Sequence, residues 1–497
     1  MKWQNEFPGP LPRPGRDETA RHLHAAQENA AAGNHAGGRV AIGDARGVAT
    51  VVITGEHPAI TPLTGSLPRT IAALALPSVA SMLLMTVFAT ADAFWVGTRI
   101  GAGGLAAVSI SLFWIWQVIA LGEMVSVGLT AVAARRHGQG APARAARSVG
   151  DGMVLALALG VVVAVAGLFL TQRLVATMQA PADVAALSVQ YLGTYLLGSP
   201  LIFGFFAVDA AFRSSGDTRT PFLILAVSVT AALVLDPILI LGFGPIPALG
   251  IRGAAVATIF TRAVAFGVGV RILARRGMIS LNGFRGENLP AIVRVGLPTA
   301  ATGIAFSLIY IFLTRITTQF GTPALAALGI GHRVESWAYM IGVGFGAAAA
   351  AIVGQNMGAQ NPARASRAGW VTMGLATGVG VVAAVLEYVF AIPFASFFTD
   401  DPAVIQESAL YLRIAAISTA FIGAELVLEG ALGGAGATLP PMLASTSLTA
   451  IRVPLAAWAA PRYGTAGIWW TLSLTAMARG VVMVLIWRAG RWQHRSL

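Results

Sequence analysis

Two aspartates lie inside hydrophobic stretches of this chain, where an ionisable side chain needs a physical reason. Asp92 is near the end of an apolar run that starts at Thr70, and Asp236 lies within one that starts at Pro221. An ionised group in hydrocarbon costs at least ~2.5–3.5 kcal/mol on insertion scales. With a helical rise of ~1.5 Å per residue, both carboxyl groups reach the outer half of the same bundle. Two acids at comparable depth predict a binding site for a proton or a sodium ion.

The residue after the second acid strengthens this prediction. Pro237 has no backbone N–H, so a carbonyl one turn earlier, at Ala232 or Leu233, loses its usual helical partner. A carbonyl oxygen freed in this way can ligate a cation beside two carboxyl groups. In the alternative interpretation, each aspartate forms a static hydrogen bond to a neighbouring helix.

Four other side chains are candidates for the wall of a substrate cavity, namely Glu123, Glu425, Met85 and Trp116. Buried structural contacts are the competing explanation for the two glutamates, core packing for the methionine, and lipid contact for the tryptophan. Asp209 precedes Arg213 by four residues, the spacing of a helical ion pair, so we expect Asp209 to be structural. Glu335 is expected at the membrane interface, and Glu387 has no evident partner.

Prolines inside the hydrophobic runs are candidates for gates. Pro77 and Pro298 occupy matching places near the start of the first and seventh runs. Each removes one helical hydrogen bond and allows the helix to bend at that point. Ordinary kinks that serve packing are the alternative.

Composition assigns the chain to an all-α, polytopic membrane fold. Hydrophobic residues make up 56% and charged residues 11%, and the mean hydropathy is +0.73. Runs long enough to cross the bilayer predict twelve transmembrane helices, at residues ~70–97, ~104–133, ~148–171, ~188–212, ~221–243, ~250–274, ~291–319, ~325–354, ~368–396, ~405–432, ~441–462 and ~465–487. Cysteine is absent, which excludes disulfides, thiolate zinc sites and cysteine nucleophiles. We expect no metal site and no cofactor.

The distribution of positive charge along the chain indicates the membrane topology. The net charge is +12, but arginine is concentrated on every second predicted loop, as at Arg135–Arg136 and Arg275–Arg276. This is the positive-inside pattern, and it places both termini in the cytoplasm of a bacterial cell, with the chain in the inner membrane. A role in binding nucleic acid is not expected.

An internal repeat divides the chain into two copies. Pro142-Ala143-Arg144 recurs as Pro362-Ala363-Arg364, and 362 − 142 = 220. Six spans in each copy give both the same orientation, so the copies form two six-helix lobes related by a parallel pseudo-two-fold repeat. The predicted organisation is a disordered cytoplasmic tail at 1–66, an N-terminal lobe at 67–274, a cytoplasmic linker at 275–290, a C-terminal lobe at 291–490 and a cytoplasmic tail at 491–497.

Several motifs resemble those of the multidrug and toxic compound extrusion (MATE) transporters. They are Leu74-Ala75-Leu76-Pro77, Ala91-Asp92-Ala93-Phe94-Trp95-Val96-Gly97, Arg213-Ser214-Ser215-Gly216-Asp217-Thr218-Arg219-Thr220-Pro221, Leu235-Asp236-Pro237-Ile238-Leu239-Ile240 and Val353-Gly354-Gln355-Asn356-Met357-Gly358-Ala359. The match covers all but the N-terminal tail, and Asp236-Pro237 looks most like the DinF-like branch. The resemblance implies that Asp92 and Asp236 are the coupling acids and that Thr258 is a nearby ligand.

Two departures from the family pattern affect the choice of ion. Ala232 stands where the family often has Asn, which favours protons over sodium. Phe306 stands near the place of a glutamate found in another MATE branch, so a cation site in the C-terminal lobe would depend on Glu425. The implied activity is a proton-coupled, alternatively sodium-coupled, efflux antiporter for small lipophilic and often cationic organic compounds. It would work by alternating access as a monomer in membrane lipid.

Two other functions are compatible with parts of the sequence. A flippase for lipid-linked sugars shares the architecture, but it would need cationic residues in its cavity for pyrophosphate, and Arg262 and Arg315 are the evident intramembrane candidates. An intramembrane enzyme would need clustered carboxylates, and none is seen. We therefore expect a transporter and no enzyme activity.

Overall fold

The structure, a computed structural model, describes residues 63 and 65–495, apart from 179, 246 and 283. The predicted disordered tail at 1–66 thus falls almost wholly outside the described residues, and so does the end of the predicted C-terminal tail. The described part of the chain is built from helices, as its composition predicts.

Seven helices form the first half of the described chain. They are α1 (Leu67–Arg99), α2 (Ala102–Gly138), α3 (Pro142–Ala176), α4 (Ala182–Leu197), α5 (Ser199–Ser214), α6 (Arg219–Leu241) and α7 (Ile251–Arg275). Pro142 is in the first turn of α3, where its missing N–H leaves no hydrogen bond unmade. Arg135 and Arg136 lie in the last turn of α2, where positive charge complements the helix dipole.

Seven more helices follow the connection at 276–288. They are α8 (Leu289–Thr318), α9 (Thr322–Gly358), α10 (Pro362–Val389), α11 (Ala391–Ser396), α12 (Pro402–Gly434), α13 (Leu439–Ala450) and α14 (Arg452–Arg488), with a 3-10 turn at Arg491–His494. The first turns of α10 and α12 also contain proline, at Pro362 and Pro402.

The helix boundaries reproduce the repeat. Helix α9 begins and ends 220 residues after α2, since 322 − 102 = 220 and 358 − 138 = 220. Helices α10 and α11 together span the counterpart of α3, and α12 spans the counterpart of α4 and α5. One difference is a 50° bend between α4 and α5, whereas α12 is continuous.

Twelve membrane spans result, in agreement with the prediction. Ten helical segments of the described chain are long and apolar enough to cross a bilayer, and the bent pair α4–α5 makes an eleventh. One of the ten, Leu439–Arg488, contains a non-helical residue, Gly464, with φ 62° and ψ −150°. Gly250 caps the start of α7 with φ 57° and ψ −137°. Gly464 therefore separates the eleventh span from the twelfth as Gly250 precedes the sixth.

Glycines bring the two lobes together at the arginine-rich end, which we define as the end of the bundle that carries Arg135 and Arg136. A side chain on Gly128 of α2 would overlap the backbone of Ile292 in α8. A side chain on Gly358 of α9 would likewise overlap the backbone of Arg135. Close backbone approach through small residues is how membrane helices pack without a hydrophobic driving force. The lobes are thus sealed against each other at this end.

The seal extends part of the way into the bundle. A Cβ on Gly344 of α9 would lie 2.6 Å from Cα of Val79 in α1. A hydrogen bond also crosses the seam, from Nε2 of Gln355 in α9 to the carbonyl of Ser214 in α5, at 2.7 Å. Val79 lies about 18 Å along α1 from Leu67 by helical rise, so the contact reaches the interior of the membrane.

The connection between α7 and α8 lies on the first lobe. The N–H of Ser280 donates to the carbonyl of Ala146 in α3 at 3.0 Å. Nδ2 of Asn288 donates to Oδ2 of Asp151 in the same helix at 2.8 Å. These bonds fix the point at which α8 begins.

Candidate cation site and central cavity

The two predicted acids lie in one buried place. Asp92 on α1 is 7% exposed and Asp236 on α6 is fully buried. Helices α1 and α6 pack against each other, and the two carboxylates are close enough for their charges to repel. The bundle thus brings together two side chains that are far apart in the sequence.

The carboxylates have almost no hydrogen-bond donors. The hydroxyl of Tyr191 on α4 donates to Oδ2 of Asp92 at 3.4 Å. Within the described residues, Oδ1 of Asp92 and both carboxylate oxygens of Asp236 accept no hydrogen bond. A buried carboxylate without a counter-charge carries a large desolvation cost, which a bound proton or metal cation removes. The static hydrogen bond weighed from the sequence therefore applies at most to Asp92.

The third predicted ligand is less clearly placed. Thr258 lies on α7 and is partly exposed, and its carbonyl accepts a hydrogen bond from the hydroxyl of Thr261 at 3.1 Å. No hydrogen bond in the described chain joins the Thr258 hydroxyl to either aspartate. Ala232, one turn before Asp236 on α6, is 2% exposed, so its position faces the interior without supplying an oxygen.

A buried arginine lies one turn further along α7. Arg262 is 7% exposed, its Nη2 is 2.8 Å from Sδ of Met85 on α1, and its guanidinium lies 5.0 Å from the ring centroid of Phe205. It interacts electrostatically with Tyr195 on α4 and with Asp209 on α5. Met85, predicted in the substrate cavity, is thus in contact with a cation inside the first lobe.

Asp209 forms the ion pair that its spacing predicts. Its Oδ2 is 2.8 Å from Nε of Arg213 on the next turn of α5. Glu123 on α2 interacts electrostatically with both members of this pair. The predicted ion pair is confirmed. Glu123, a predicted cavity residue, belongs to the same group of charges.

A polar cluster lies at the seam between the lobes, where Tyr339 of α9 is 43% exposed. Tyr339 interacts electrostatically with Glu123 in the first lobe and with Glu425 and Glu429 of α12 in the second. Since one side chain has ionisable neighbours in both lobes and yet is exposed, it lies at the wall of a space between them. We call Glu123, Tyr339, Glu425 and Glu429 the seam cluster.

Glu425 is already paired with a cation. Its Oε1 is 3.1 Å from Nη1 of Arg479 on α14, and it accepts a hydrogen bond from the hydroxyl of Ser445 at 3.2 Å. The Arg479 guanidinium lies 5.0 Å from the ring centroid of Phe306 on α8. Glu425 thus sits in a buried, charge-neutral pair, whereas no ion pair in the described chain involves Glu123 or Glu429.

The remaining predicted residues are placed as follows. Trp116 on α2 is 57% exposed. Pro77 and Pro298 lie inside α1 and α8, and a hydroxyl bonds each proline's carbonyl: Ser81 to Pro77 at 2.9 Å and Thr302 to Pro298 at 3.0 Å. Such back-bonding from Ser and Thr bends helices. Both helices therefore carry two bend-promoting features at matching positions.

The structure contains more intramembrane cations than the sequence analysis named. Arg452 and Arg479 are buried inside α14, at 5% and 6% exposure, so Arg262 and Arg315 are not the only intramembrane cations. Both are identifiable from the sequence, because each lies well inside a predicted span. Glu335 is expected at the interface, but it lies within the second lobe and accepts a hydrogen bond from the hydroxyl of Tyr411 at 2.7 Å.

Glu387 also has a partner that the sequence does not indicate. Its Oε2 accepts a hydrogen bond from the hydroxyl of Thr419 on α12 at 2.7 Å. A contact between residues 32 positions apart depends on helix packing, and no local spacing rule reports it.

Comparison with known proteins identifies the fold and the family. The MatE family model matches residues 77–238 and 298–458, which together are more than half of the chain and correspond to the two halves of the repeat. The chain belongs to the MatE family. As a MatE protein it is a multi-pass membrane transporter and not an enzyme.

Relatives of this MatE protein match over most of its length. The probable multidrug resistance protein NorM of Thermotoga maritima is 29% identical over 439 residues, covering 85% of this chain and 93% of the relative. A FAD transporter of Shewanella oneidensis is 25% identical over 427 residues, with 84% and 94% covered. A solved structure of a MOP superfamily transporter from Pyrococcus furiosus shares the fold, with a TM-score of 0.82, 23% identity, and 88% and 99% covered.

Proposed function

We propose that this MatE protein is a proton-coupled efflux antiporter for small organic compounds, including lipophilic cations. It would act as a monomer in the inner membrane of a bacterium, with both termini in the cytoplasm. The observation that carries the proposal is the buried pair Asp92 and Asp236, whose three unbonded carboxylate oxygens need a cation or a proton.

The surroundings of the acid pair favour the proton over sodium. A sodium ion needs several oxygen ligands, and the side chain at Ala232 supplies none. The further ligands expected from the sequence are the Thr258 hydroxyl and the carbonyl of Ala232 or Leu233. A proton needs only one oxygen lone pair, and three carboxylate oxygens of this pair accept no hydrogen bond from the described residues.

The lobe contacts suggest how the ion and the substrate exclude each other. The arginine-rich end is sealed by glycine contacts, so this conformation corresponds to the outward-facing state of the cycle. Protonation removes the repulsion between Asp92 and Asp236, and α1 then bends at Pro77 and changes the shape of the cavity. Coupling requires only that the proton and the organic compound prefer different conformers. Pro298 is the corresponding bend in the second lobe.

The seam cluster supplies the substrate chemistry. Glu123 and Glu429 face the space between the lobes with no ion-pair partner among the described residues, so a cationic group has an attractive position there. Trp116, exposed on α2, offers an aromatic surface. The name of the Thermotoga maritima relative supports multidrug substrates, whereas that of the Shewanella oneidensis relative indicates a single organic cofactor.

A flippase for lipid-linked sugars is less well supported. The structure adds Arg452 and Arg479 to the intramembrane cations that such a protein needs. Both are bonded inside the second lobe, however: Arg479 to Glu425, and Nε of Arg452 to the hydroxyl of Thr475 at 2.7 Å. Arg479 is thus neutralised by a carboxylate, and Arg452 is held by neutral hydrogen-bond acceptors within the lobe.

Efflux from proteoliposomes tests the proposed function, with ethidium as the probe. A pH gradient and a sodium gradient are imposed separately on vesicles that contain wild type, Asp92→Asn or Asp236→Asn. We expect the pH gradient to drive efflux by wild type and neither variant to respond to it. Asp183→Asn is the matched control, because Asp183 is an exposed acid in the first turn of α4. Efflux driven only by sodium, or pH-driven efflux unchanged in both variants, would contradict the proposal.

A further inference from the structure

The interior of the first lobe contains more ionisable groups than a two-aspartate site needs. Tyr191, Tyr195 and Arg262 are at most 8% exposed, and Asp209 and Glu123 are partly buried. Each buried polar group has a desolvation cost, so a series of them inside a membrane bundle is informative.

The series begins at the coupling acids. Tyr191 donates to Asp92 and also interacts electrostatically with Asp236 and with Tyr195. Tyr191 and Tyr195 are four residues apart on α4, so their side chains lie on one face of the helix. The first step along the lobe is therefore from a carboxyl group to two successive phenol hydroxyls.

The series continues through a fixed positive charge. Tyr195 and Arg262 interact electrostatically, and Arg262 also interacts with Asp209. Asp209 therefore has two guanidinium groups among its neighbours, since Arg213 is paired with it at 2.8 Å.

The series ends at the seam. Glu123 interacts electrostatically with Asp209 and Arg213 in its own lobe and with Tyr339 of the other lobe. Asp92 lies seven residues before the end of α1, and Asp209 lies five residues before the arginine-rich end of α5. The groups therefore descend from the coupling site to the cavity wall.

The second lobe contains a comparable set of groups. Tyr411 and Glu429 lie 220 residues after Tyr191 and Asp209, and Tyr411 also donates to a buried acid, Glu335. Arg479 on the last span interacts with Glu429, as Arg262 on the sixth span interacts with Asp209. Each lobe thus has a buried tyrosine that donates to an acid, and an arginine that interacts with the acid at the position of Asp209 or Glu429.

We propose that the first lobe contains an internal proton relay, which carries a proton from Asp92 through the hydroxyls of Tyr191 and Tyr195 to Asp209 and then to Glu123. Arg213, which is paired with Asp209 at 2.8 Å, fixes the position of this intermediate acceptor. The 3.4 Å bond from Tyr191 to Asp92 is the first step, and the relay requires water molecules to bridge the later ones. A proton that arrives at Glu123 neutralises the carboxylate that would hold a cationic compound. The relay rests on the proposed antiport function, for which it provides the route of the proton from the acid pair to the cavity wall.

Proton movement driven by an outward ethidium gradient tests the relay in proteoliposomes of the full chain, with a pH-sensitive dye in the lumen. Tyr195→Phe removes one hydroxyl and keeps the ring. We expect its initial rate of proton movement to fall by about tenfold or more, with ethidium affinity within about twofold of wild type. Tyr388→Phe is the matched control, because Tyr388 is 55% exposed on α10.

A second pair of variants separates the relay from simple structural damage. Asp209→Asn should slow proton movement as Tyr195→Phe does, while Asp209→Glu should retain most of the rate. The second lobe already has glutamate at the equivalent position, Glu429. A loss of folding would instead affect both substitutions and would lower ethidium affinity.

Asp92→Asn distinguishes failure of the relay from failure of the antiport proposal. If Asp92→Asn abolishes proton movement while Tyr195→Phe and Asp209→Asn match wild type, the relay is overturned and the coupling site stands. If Asp92→Asn moves protons at the wild-type rate, both the coupling site and the relay that starts from it are overturned. Slowing in all three variants, with affinity retained in Tyr195→Phe, supports the relay.

Discussion

The contact between Gly344 and Val79 leads to a quantitative prediction about the conformational equilibrium. Alanine at position 344 would place a Cβ 2.6 Å from Cα of Val79, across the seam between α9 and α1. Ordinary van der Waals contact begins at 3.4 Å, so the lobes must separate by several tenths of an ångström. Overpacking of this kind costs about 1–3 kcal/mol. We therefore expect Gly344→Ala to favour the conformer with separated lobes by about 5- to 150-fold.

Distances between spin labels measure this shift directly. The chain has no cysteine, so labels attach only at cysteines that are introduced. Ala143 and Ala363 are exposed at the arginine-rich end, one in each lobe, and are equivalent in the repeat. With cysteine at both positions, the distance between the labels should increase in Gly344→Ala. A distribution identical to that of wild type would refute the reasoning.

A second glycine on the same helix provides the control. Gly329 is also on α9, but no atom lies within 4 Å of the position that its Cβ would take. Gly329→Ala gives the same gain in helix propensity, about 1 kcal/mol, without overlap. We expect its label distances to match wild type, so that a change in Gly344→Ala alone reports the contact between the lobes.

Three other predictions follow from the hydrogen bonds and ion pairs. Gln355→Ala removes the 2.7 Å hydrogen bond to Ser214 across the seam, which is worth about 1 kcal/mol. The population with separated lobes, measured with the same pair of labels, should therefore rise about fivefold. An unchanged distance distribution would show that this bond does not hold the lobes together. Arg479→Ala leaves Glu425 buried without its cation, so the free energy of unfolding should fall by about 3–5 kcal/mol, as measured by thermal unfolding. Adding Glu425→Ala should recover much of this loss. A double variant as unstable as Arg479→Ala alone would contradict the prediction. Asp217→Asn should lower the unfolding temperature at neutral pH. Burial raises the pKa of Asp217, but the hydrogen bonds from Thr220 and the charge of Arg276 lower it by more, so the pKa lies below its usual value. Because the pKa of Asp217 is lower in the folded protein than in the unfolded chain, its carboxylate stabilises the fold at pH values above the unfolded-state pKa. That stabilisation is lost as the pH falls through the folded-state pKa, so the difference in unfolding temperature between wild type and Asp217→Asn should shrink on acidification. A difference that stays constant with pH would contradict this prediction.

The sequence predicts the architecture well because the bilayer restricts which structures can span it. Apolar runs of the right length indicate the spans, and the 220-residue repeat recurs in helix boundaries such as those of α2 and α9. The spacing of Asp209 and Arg213 predicts their ion pair, because both lie on one helix face. Local rules and a strong hydrophobic pattern are sufficient for these features.

Contacts between helices are less accessible to sequence reasoning. Depth arguments place Asp92 and Asp236 at a similar level, but they give no information about which helix face each side chain occupies. The arginine next to Met85 and the tyrosine that bonds Glu335 come from helices distant in sequence. No spacing rule reports them, because they depend on how whole helices rotate and pack. Predictions at this level need the three-dimensional arrangement.

Protons released when substrate binds provide the most direct test of the account. Ethidium is added to the purified full chain in a weakly buffered detergent solution, with no membrane gradient, and the pH is followed with a dye. The account predicts proton release by wild type and by Asp183→Asn, and none by the double variant Asp92→Asn with Asp236→Asn. Equal release by all three proteins would contradict the claim that this buried acid pair exchanges protons for substrate.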